Sequence, residues 1–359
     1  MRQTAPFPPL ADPAGYEPVG LDLRADVDVR APWLDVFRTH FVSLLTEYRR
    51  EAAERGADAA ATEATACGVA NDFRQWLAAA DGDINLPGSG NVLDLCKVRE
   101  RFLREAGIAD PYRLAKREAA DGALRLLPAR LAELDALAGD AQATEVIRGV
   151  FAGNVFDLGA AATVERFAGK AVDFAQVVAD LKPRPWLVDE LDGWLERLQG
   201  PVHRHAVLFV DNAGPDVLLG MLPLGRFLLQ RGTRVTLAAN TTPSLNDVTH
   251  DELVEQLKAV AGFDAVVRGA LASGQLAALP SGCGTPLIDL SLVSRPLARA
   301  SADVDLVVLE GMGRSLESNY DAVFSCDCLR LAMLKDTLFA GPLLGGELYD
   351  LICRFAPGG

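Results

Sequence analysis

Histidine and positive charge are both scarce in this chain. Its 359 residues include only 4 His, and 35 Lys and Arg stand against 49 Asp and Glu, for a formal net charge of −14. Four histidines do not furnish a histidine-rich metal centre. Two of them, His203 and His205, stand at the start of an apolar run, the end of a strand that lies away from chemistry in open α/β sheets. The acidic balance and the lack of any Lys/Arg cluster exclude a nucleic-acid partner, because a phosphate backbone selects basic stripes. No apolar run reaches the roughly 18 residues of a membrane span, so no membrane partner is expected. The opening MRQTAPFPPLADPAGYEP has no apolar core of the secretory kind, and the expected location is cytoplasmic. The 6 cysteines are scattered, and CDC at 326–328 lacks zinc-knuckle spacing, so free thiols are expected. Also missing are GxGxxG, GxxxxGK[ST] and GxSxG, which removes the common nucleotide loops and the serine-hydrolase elbow.

What is present divides into three stretches. Residues 1–30 are Pro-rich and read as an extended arm. Residues 31–200 read as a helical N-terminal region: WLDVFRTHFVSLLTEYRREAAER places Leu34, Phe37, Phe41, Leu44, Leu45 and Tyr48 on one stripe. ERGADAAATEATA fits an exposed helix or a loop equally, and DGDINLPGSGN reads as a loop. In residues 201–359 short apolar runs alternate with helical ones, which predicts an α/β fold with a Rossmann-like, doubly wound, mostly parallel sheet.

Ligands of open α/β sheets sit beyond the carboxyl ends of the strands. Four predicted strands run into polar residues there: AVLFV into Asp211-Asn212, RVTLAA into Asn240, DLVVL into Glu310 and LRLAML into Lys335. Each alone serves equally as a strand cap or turn residue; all four together point to one edge. In ANTTPSLNDVTHDE, Asn246 or Asp247 can cap the next helix, with Glu252 in its early turns, or Asp247 can join Asp211-Asn212 around a hard divalent cation, which takes oxygen ligands. His250 reads as a solvated helix residue. In EGMGR, Gly311 and Gly313 let backbone N–H groups approach an anion, and Arg314 can grip a phosphate. A cation at this crevice would face Arg314 and Lys335 across that phosphate.

These stretches resemble a known family. FVDNAGPDVLLGMLPLGRFLLQRGTRVTLAANTTPSLNDVT and VVLEGMGRSLESNYDA are similar to the metal-dependent damage-control phosphatases, in the subfamily marked by EGMGR that includes the C-terminal phosphatase domain of animal pantothenate kinase four. GVFAGNVFDLGA, DPYRLAK and RPWLVDELDGWLERLQGPVH fit as well, so the resemblance spans about residues 30–356. It implies one divalent metal ion (Mn, Mg, Co or Ni) held by Asp211, Asn212 and Asp247. It implies a small phosphorylated metabolite as partner, with phosphopantetheine and its oxidised or damaged forms favoured, which would place the activity in coenzyme A damage control. The alternatives are a sugar-phosphate phosphatase of the same family or a non-catalytic regulatory protein. Substrate contacts fall on Asn154 and Asp157 of GNVFD, on Asn240, on Glu310, Gly311, Met312, Gly313 and Arg314 of EGMGR, and on Lys335. One departure, Thr241-Thr242 where relatives often carry Ser-Gly, bears on loop shape and substrate choice. A methyltransferase-like reading of the core is disfavoured because no glycine-rich loop follows the first strand.

Overall fold

The structure, a computed structural model, describes residues 4–18, 22–82, 90–155, 174–335, 338 and 344–358. A short strand β1 (Thr4–Ala5) precedes five helices: α1 (Val27–Glu54), α2 (Ala59–Gly82), α3 (Val92–Glu105), α4 (Arg113–Asp135) and α5 (Gly139–Asn154). The Ala-rich stretch thus lies largely in helix α2. Next come α6 (Phe174–Ala179), β2 (Val188–Asp189), α7 (Leu191–Gln199), β3 (His205–Phe209), a π-helical turn (Asp216–Met221) and α8 (Leu222–Gln230). The chain continues through β4 (Arg234–Ala239), α9 (His250–Ala261), α10 (Ala265–Ser273), β5 (Leu276–Pro280), β6 (Val293–Ser294) and α11 (Arg295–Ala300). It closes with β7 (Leu306–Glu310), a second π-helical turn (Met312–Glu317), β8 (Asp327–Met333) and β9 (Leu351–Ala356).

Seven strands form one sheet in the order β2-β9-β8-β7-β3-β4-β5. All neighbours in it are parallel except β8 and β9. The expected α/β, mostly parallel architecture is therefore what the chain adopts. The strand order reverses at β3: β4 lies on one side of it and β7 on the other. Such a switch point opens a crevice beyond the strand ends, and β3 and β7 are buried along their whole length.

Alternate residues of β3 serve opposite faces. Ala206 and Leu208 join the core with α4, α5 and α8, whereas Val207 and Phe209 face Phe7, Leu10 and Leu297. The N-terminal arm is held on that second face by β1, which pairs antiparallel with β6, and by Phe7, edge-on to Phe209 at 5.3 Å. Residues of α1, α2 and α3 form a separate core of Trp33, Phe37, Phe41, Phe73, Leu95 and neighbours.

Two local details position the chemistry. The cap of α9 is Thr249, in a full capping box with Glu252, and neither Asn246 nor Asp247 caps it. The reason is reach: Thr249 directly precedes the first turn, so its hydroxyl meets the Glu252 amide while Glu252 answers back. Helix α5 meets the first π turn almost backbone to backbone. A Cβ on Gly153 would lie 2.8 Å from Asp216 Cα, and one on Gly220 would lie 3.1 Å from Val150 Cα. This glycine-mediated approach delivers the end of α5 to the switch point.

Candidate active site

The backbone brings the strand-end residues together before any side chain acts. Val248 N–H donates to the Asp211 carbonyl at 3.0 Å and Ala213 N–H to the Asn246 carbonyl at 2.9 Å, so Asn212 and Asp247 face each other in an isolated antiparallel bridge. A second bridge joins Asn240 to Thr249. Residues 246–249 therefore lie across the carboxyl ends of β3 and β4. On the other flank, Asp211 N–H donates to Glu310 Oε2 at 3.0 Å, spanning β3 and β7.

The side chains interlock around four buried acids. Asp211 and Asp247 both pair with the Arg314 guanidinium, Asp247 through Nη2 at 3.1 Å. Asn240 Nδ2 donates to Asp247 Oδ2 at 2.7 Å and its Oδ1 accepts from Arg314 at 3.3 Å. Asp216, from the first π turn, accepts from the Asn212 amide at 3.1 Å, from Asn212 Nδ2 at 2.8 Å and from Asn154 Nδ2 at 3.2 Å, all at Oδ2. Asn154 also donates to Glu310 Oε1 at 2.6 Å. Carboxylate oxygens of Asp211, Asp216 and Glu310 all lie within 4.8 Å of one another.

Electrostatics in the cluster follow from burial. Burial, then the Asp216 charge, pushes the Glu310 carboxyl well above the ordinary carboxylate range, and the Lys335 ammonium opposes this. Burial likewise raises Asp216 against the pull of Lys335 and of the Asn212 and Asn154 hydrogen bonds. Lys335 thus works on both acids from the end of β8. Two acceptor atoms, Asp216 Oδ1 and Asn154 Oδ1, are buried with no hydrogen-bond partner among the described residues. A buried oxygen left unsatisfied is costly, and Asp216 belongs to the acid cluster whose carboxylate oxygens lie close enough together to hold a cation. The donor set is all oxygen, which suits a hard divalent cation, and the residues present fit the expectation of a metal ion.

The structure brings together Asn154, Asp211, Asn212, Asn240, Asp247, Glu310, Arg314 and Lys335. Asp157 lies outside the described residues. Within EGMGR, the Gly311 N–H is taken by the Leu331 carbonyl at 3.0 Å, and the Met312 side chain packs with Leu316, Ala332, Leu334 and Ile352. Gly313 sits so close to the 285–286 loop that a Cβ would lie 2.9 Å from the Pro286 carbonyl oxygen. Glycines make room for Thr241 and Thr242: Gly282 N–H donates to Thr241 Oγ1 at 2.8 Å, and a Cβ on Gly284 would lie 2.0 Å from Thr242 Oγ1. A cavity of about 400 Å³ lined by Asp135, Gly139, Gln142, Phe227, Gln230 and Arg231 holds no member of the cluster. Sequence reasoning missed Asp216, which reads as an ordinary first-turn acid; its signal was an acid four residues after the Asn212 amide it caps.

Comparisons with known proteins give the family and the fold. Residues 34–351 match the family model of the Damage-control phosphatase ARMT1-like domain. The chain is 43% identical to Damage-control phosphatase At2g17340 of Arabidopsis thaliana over 262 residues, covering 73% of this chain and 71% of that protein. It is 32% identical to 4'-phosphopantetheine phosphatase of Mus musculus over 99% of this chain and 49% of that protein. Against Pantothenate kinase 2 of Arabidopsis thaliana, 39% identical, the chain spans 42% of the relative's length. A solved DUF89 family protein from Pyrococcus horikoshii shares the fold at a TM-score of 0.59 and 15% identity, over 88% of this chain and 97% of that one.

Proposed function

The chain belongs to the ARMT1-like damage-control phosphatase family, and on that premise we propose that it is a divalent-metal-dependent phosphomonoester hydrolase acting on phosphopantetheine or its oxidised or damaged forms. The observation that carries the metal reading is the buried all-oxygen cluster at the switch point, with the unsatisfied Asp216 Oδ1 and Asn154 Oδ1 beside Asp211 and Glu310. The substrate reading is supported by similarity to the mouse 4'-phosphopantetheine phosphatase. Asp211, Asn212 and Asp247 are the proposed metal ligands, and Asp216 and Glu310 stand with Asp211 in the acid cluster beside them. When bound, the ion supplies Lewis-acid polarisation of a phosphoryl oxygen. Asp211 holds or aligns the attacking group. Arg314 and Lys335 offset charge on the transferring phosphoryl, and Asn240 orients Asp247 and Arg314.

Chelator should abolish hydrolysis of an aryl phosphate, and Mn2+ or Mg2+ should restore it; full turnover by stripped protein would sink the metal reading. Parallel assays on phosphopantetheine and on sugar phosphates decide the substrate, because a higher kcat/KM on a sugar phosphate would move the assignment to the rival substrate class. Metal should also stabilise. At about 100 times Kd the linkage gain is about 2.7 kcal/mol, or a rise in Tm of about 3–4 °C for a chain of this size. The sign with pH follows from the raised carboxyls. A group that binds its proton more tightly in the folded chain favours folding below its folded pKa and loses that contribution as pH rises through it. Metal-free protein should therefore lose stability as Glu310 and Asp216 ionise, and the Tm gain from Mn2+ should grow over the same rise in pH. Thermal scans with and without metal across pH check this.

Arg314 should show its role in a conservative exchange. Lys lacks the planar fork that serves two oxygens at once. Arg314→Lys should lower kcat/KM about ten- to a hundredfold, the loss of one charge-assisted bond. The loss should be equal on phosphopantetheine and on an aryl phosphate, since the phosphate is the shared part. A defect confined to phosphopantetheine would show that Arg314 reads the pantetheine arm instead.

A further inference from the structure

The turn that carries Asp247 is held in a conformation it would not choose alone. Asp247 N–H donates to the Ser244 carbonyl at 3.1 Å, closing a tight turn over residues 244–247. Inside it Leu245 has φ +47°, one of two non-glycine residues with positive φ among the described residues. Such a backbone is strained for a residue that carries a side chain and persists only where its surroundings over-determine it.

The surroundings come from the helical region. Leu245 packs against the core of α1, α2 and α3. Ser244 is gripped from α3: Arg99 Nη2 donates to Ser244 Oγ at 3.2 Å, and Ser244 Oγ donates to Glu100 Oε1 at 2.9 Å. Arg99 and Glu100 are themselves a buried pair at 2.8 Å, and the Arg99 guanidinium lies 5.4 Å from the Phe37 ring. At the other end of the turn, Lys116 Nζ from α4 lies 3.5 Å from the Asp247 carbonyl oxygen. The ammonium is buried, and ion pairs to the partly exposed carboxylates of Asp110 at 2.8 Å and Glu252 at 2.9 Å fix it. Glu252 is also the capping partner of Thr249. Three attachments therefore fix the turn at Ser244, Leu245 and the Asp247 carbonyl, all originating outside the sheet.

We propose that Arg99, Glu100 and Lys116 are positioning residues: through Ser244 and the Asp247 carbonyl they hold the strained 244–247 turn so that Asp247 presents its carboxylate to the metal, making the docked helical region part of the catalytic apparatus. This rests on the reading of Asp247 as a metal ligand. Groups that orient metal ligands typically contribute about 10–100-fold in metal affinity or activity.

The test uses Ser244→Ala and Leu245→Gly in the whole chain. Truncating Arg99 or Glu100 strands a buried charge and can unfold the protein. Ser244→Ala leaves that pair intact, and Gly accepts positive φ without strain while losing only the contact. Mn2+ affinity is read by titration calorimetry, the fold by circular dichroism, and kcat/KM on an aryl phosphate at low and saturating Mn2+. Both variants should stay folded and bind Mn2+ about tenfold more weakly. Their kcat/KM should fall at low Mn2+ and recover to within about threefold of wild type at saturation, a metal rescue that a general packing defect would not give. Wild-type Mn2+ affinity in folded Ser244→Ala and Leu245→Gly overturns the proposal, as does a rate loss that Mn2+ does not rescue. Asp247→Ala separates this from the reading beneath it. If Asp247→Ala binds Mn2+ like wild type, the ligand assignment fails. If it loses Mn2+ while the two turn variants keep it, only the positioning role fails.

Discussion

Asp211→Asn should lower kcat/KM by about a thousandfold while the protein still folds. Asn keeps the shape and one oxygen but removes the charge. Metal ions supply several kcal/mol of transition-state stabilisation, and each 1.36 kcal/mol is tenfold in rate, so losing a charged ligand and its ion costs about three powers of ten. The fold should survive because the Asp211 backbone, which donates to Glu310 and accepts from Val248, is untouched. Arg314 would keep its contact to Asp247. Steady-state kinetics together with Mn2+ calorimetry check the expectation. Activity within tenfold of wild type would remove Asp211 from the chemistry.

Gly311→Ala should be nearly as damaging, although it adds one methyl group and removes no functional atom. Gly311 has φ +88° and ψ 154°, a region essentially reserved for glycine, so any side chain there costs about 1–3 kcal/mol. The added Cβ would also lie 2.0 Å from Asp211 Oδ2 and 2.6 Å from its Cγ. Asp211 has little room to retreat, since Arg314 and Asn212 hold its carboxylate and it is buried. Displacing a reacting group by about 1 Å typically costs about a hundredfold. A control separates strain from displacement: Gly232 has φ +96°, and a Cβ added there would meet nothing within 4 Å. Gly232→Ala should lower Tm with kcat/KM unchanged, while Gly311→Ala should lower both. Equal kinetics in the two variants would show that Gly311 does not set the position of Asp211.

Much of the site was legible in the sequence because a strand ends where its apolar run ends. Asp211, Asn240, Glu310 and Lys335 are each the polar residue that closes or follows a buried run, and parallel strands carry such residues to one edge. The same rule placed His205 at the opposite end of β3, where it bonds Thr236 and Asp303. Capping was less legible. Asn246, Asp247 and Thr249 all have suitable side chains, and only the backbone path, which crosses to Asn212 before turning into α9, leaves the cap to Thr249.

The sequence by itself determined the alternation of strands and helices, the acid-amide pairs at the strand ends and the family. These are local patterns of period and punctuation, fixed by residues a few positions apart. Only the tertiary structure decided that Asp216 joins the cluster, that Asn154 bridges it to Glu310 from a helix over a hundred and fifty residues away in sequence, and that α3 and α4 hold the turn bearing Asp247. The reason is chain topology. Glycines on α5 and the π turn permit an approach that no side-chain pattern announces. Burial, which raises Glu310 and Asp216, belongs to the packed molecule and to no residue alone.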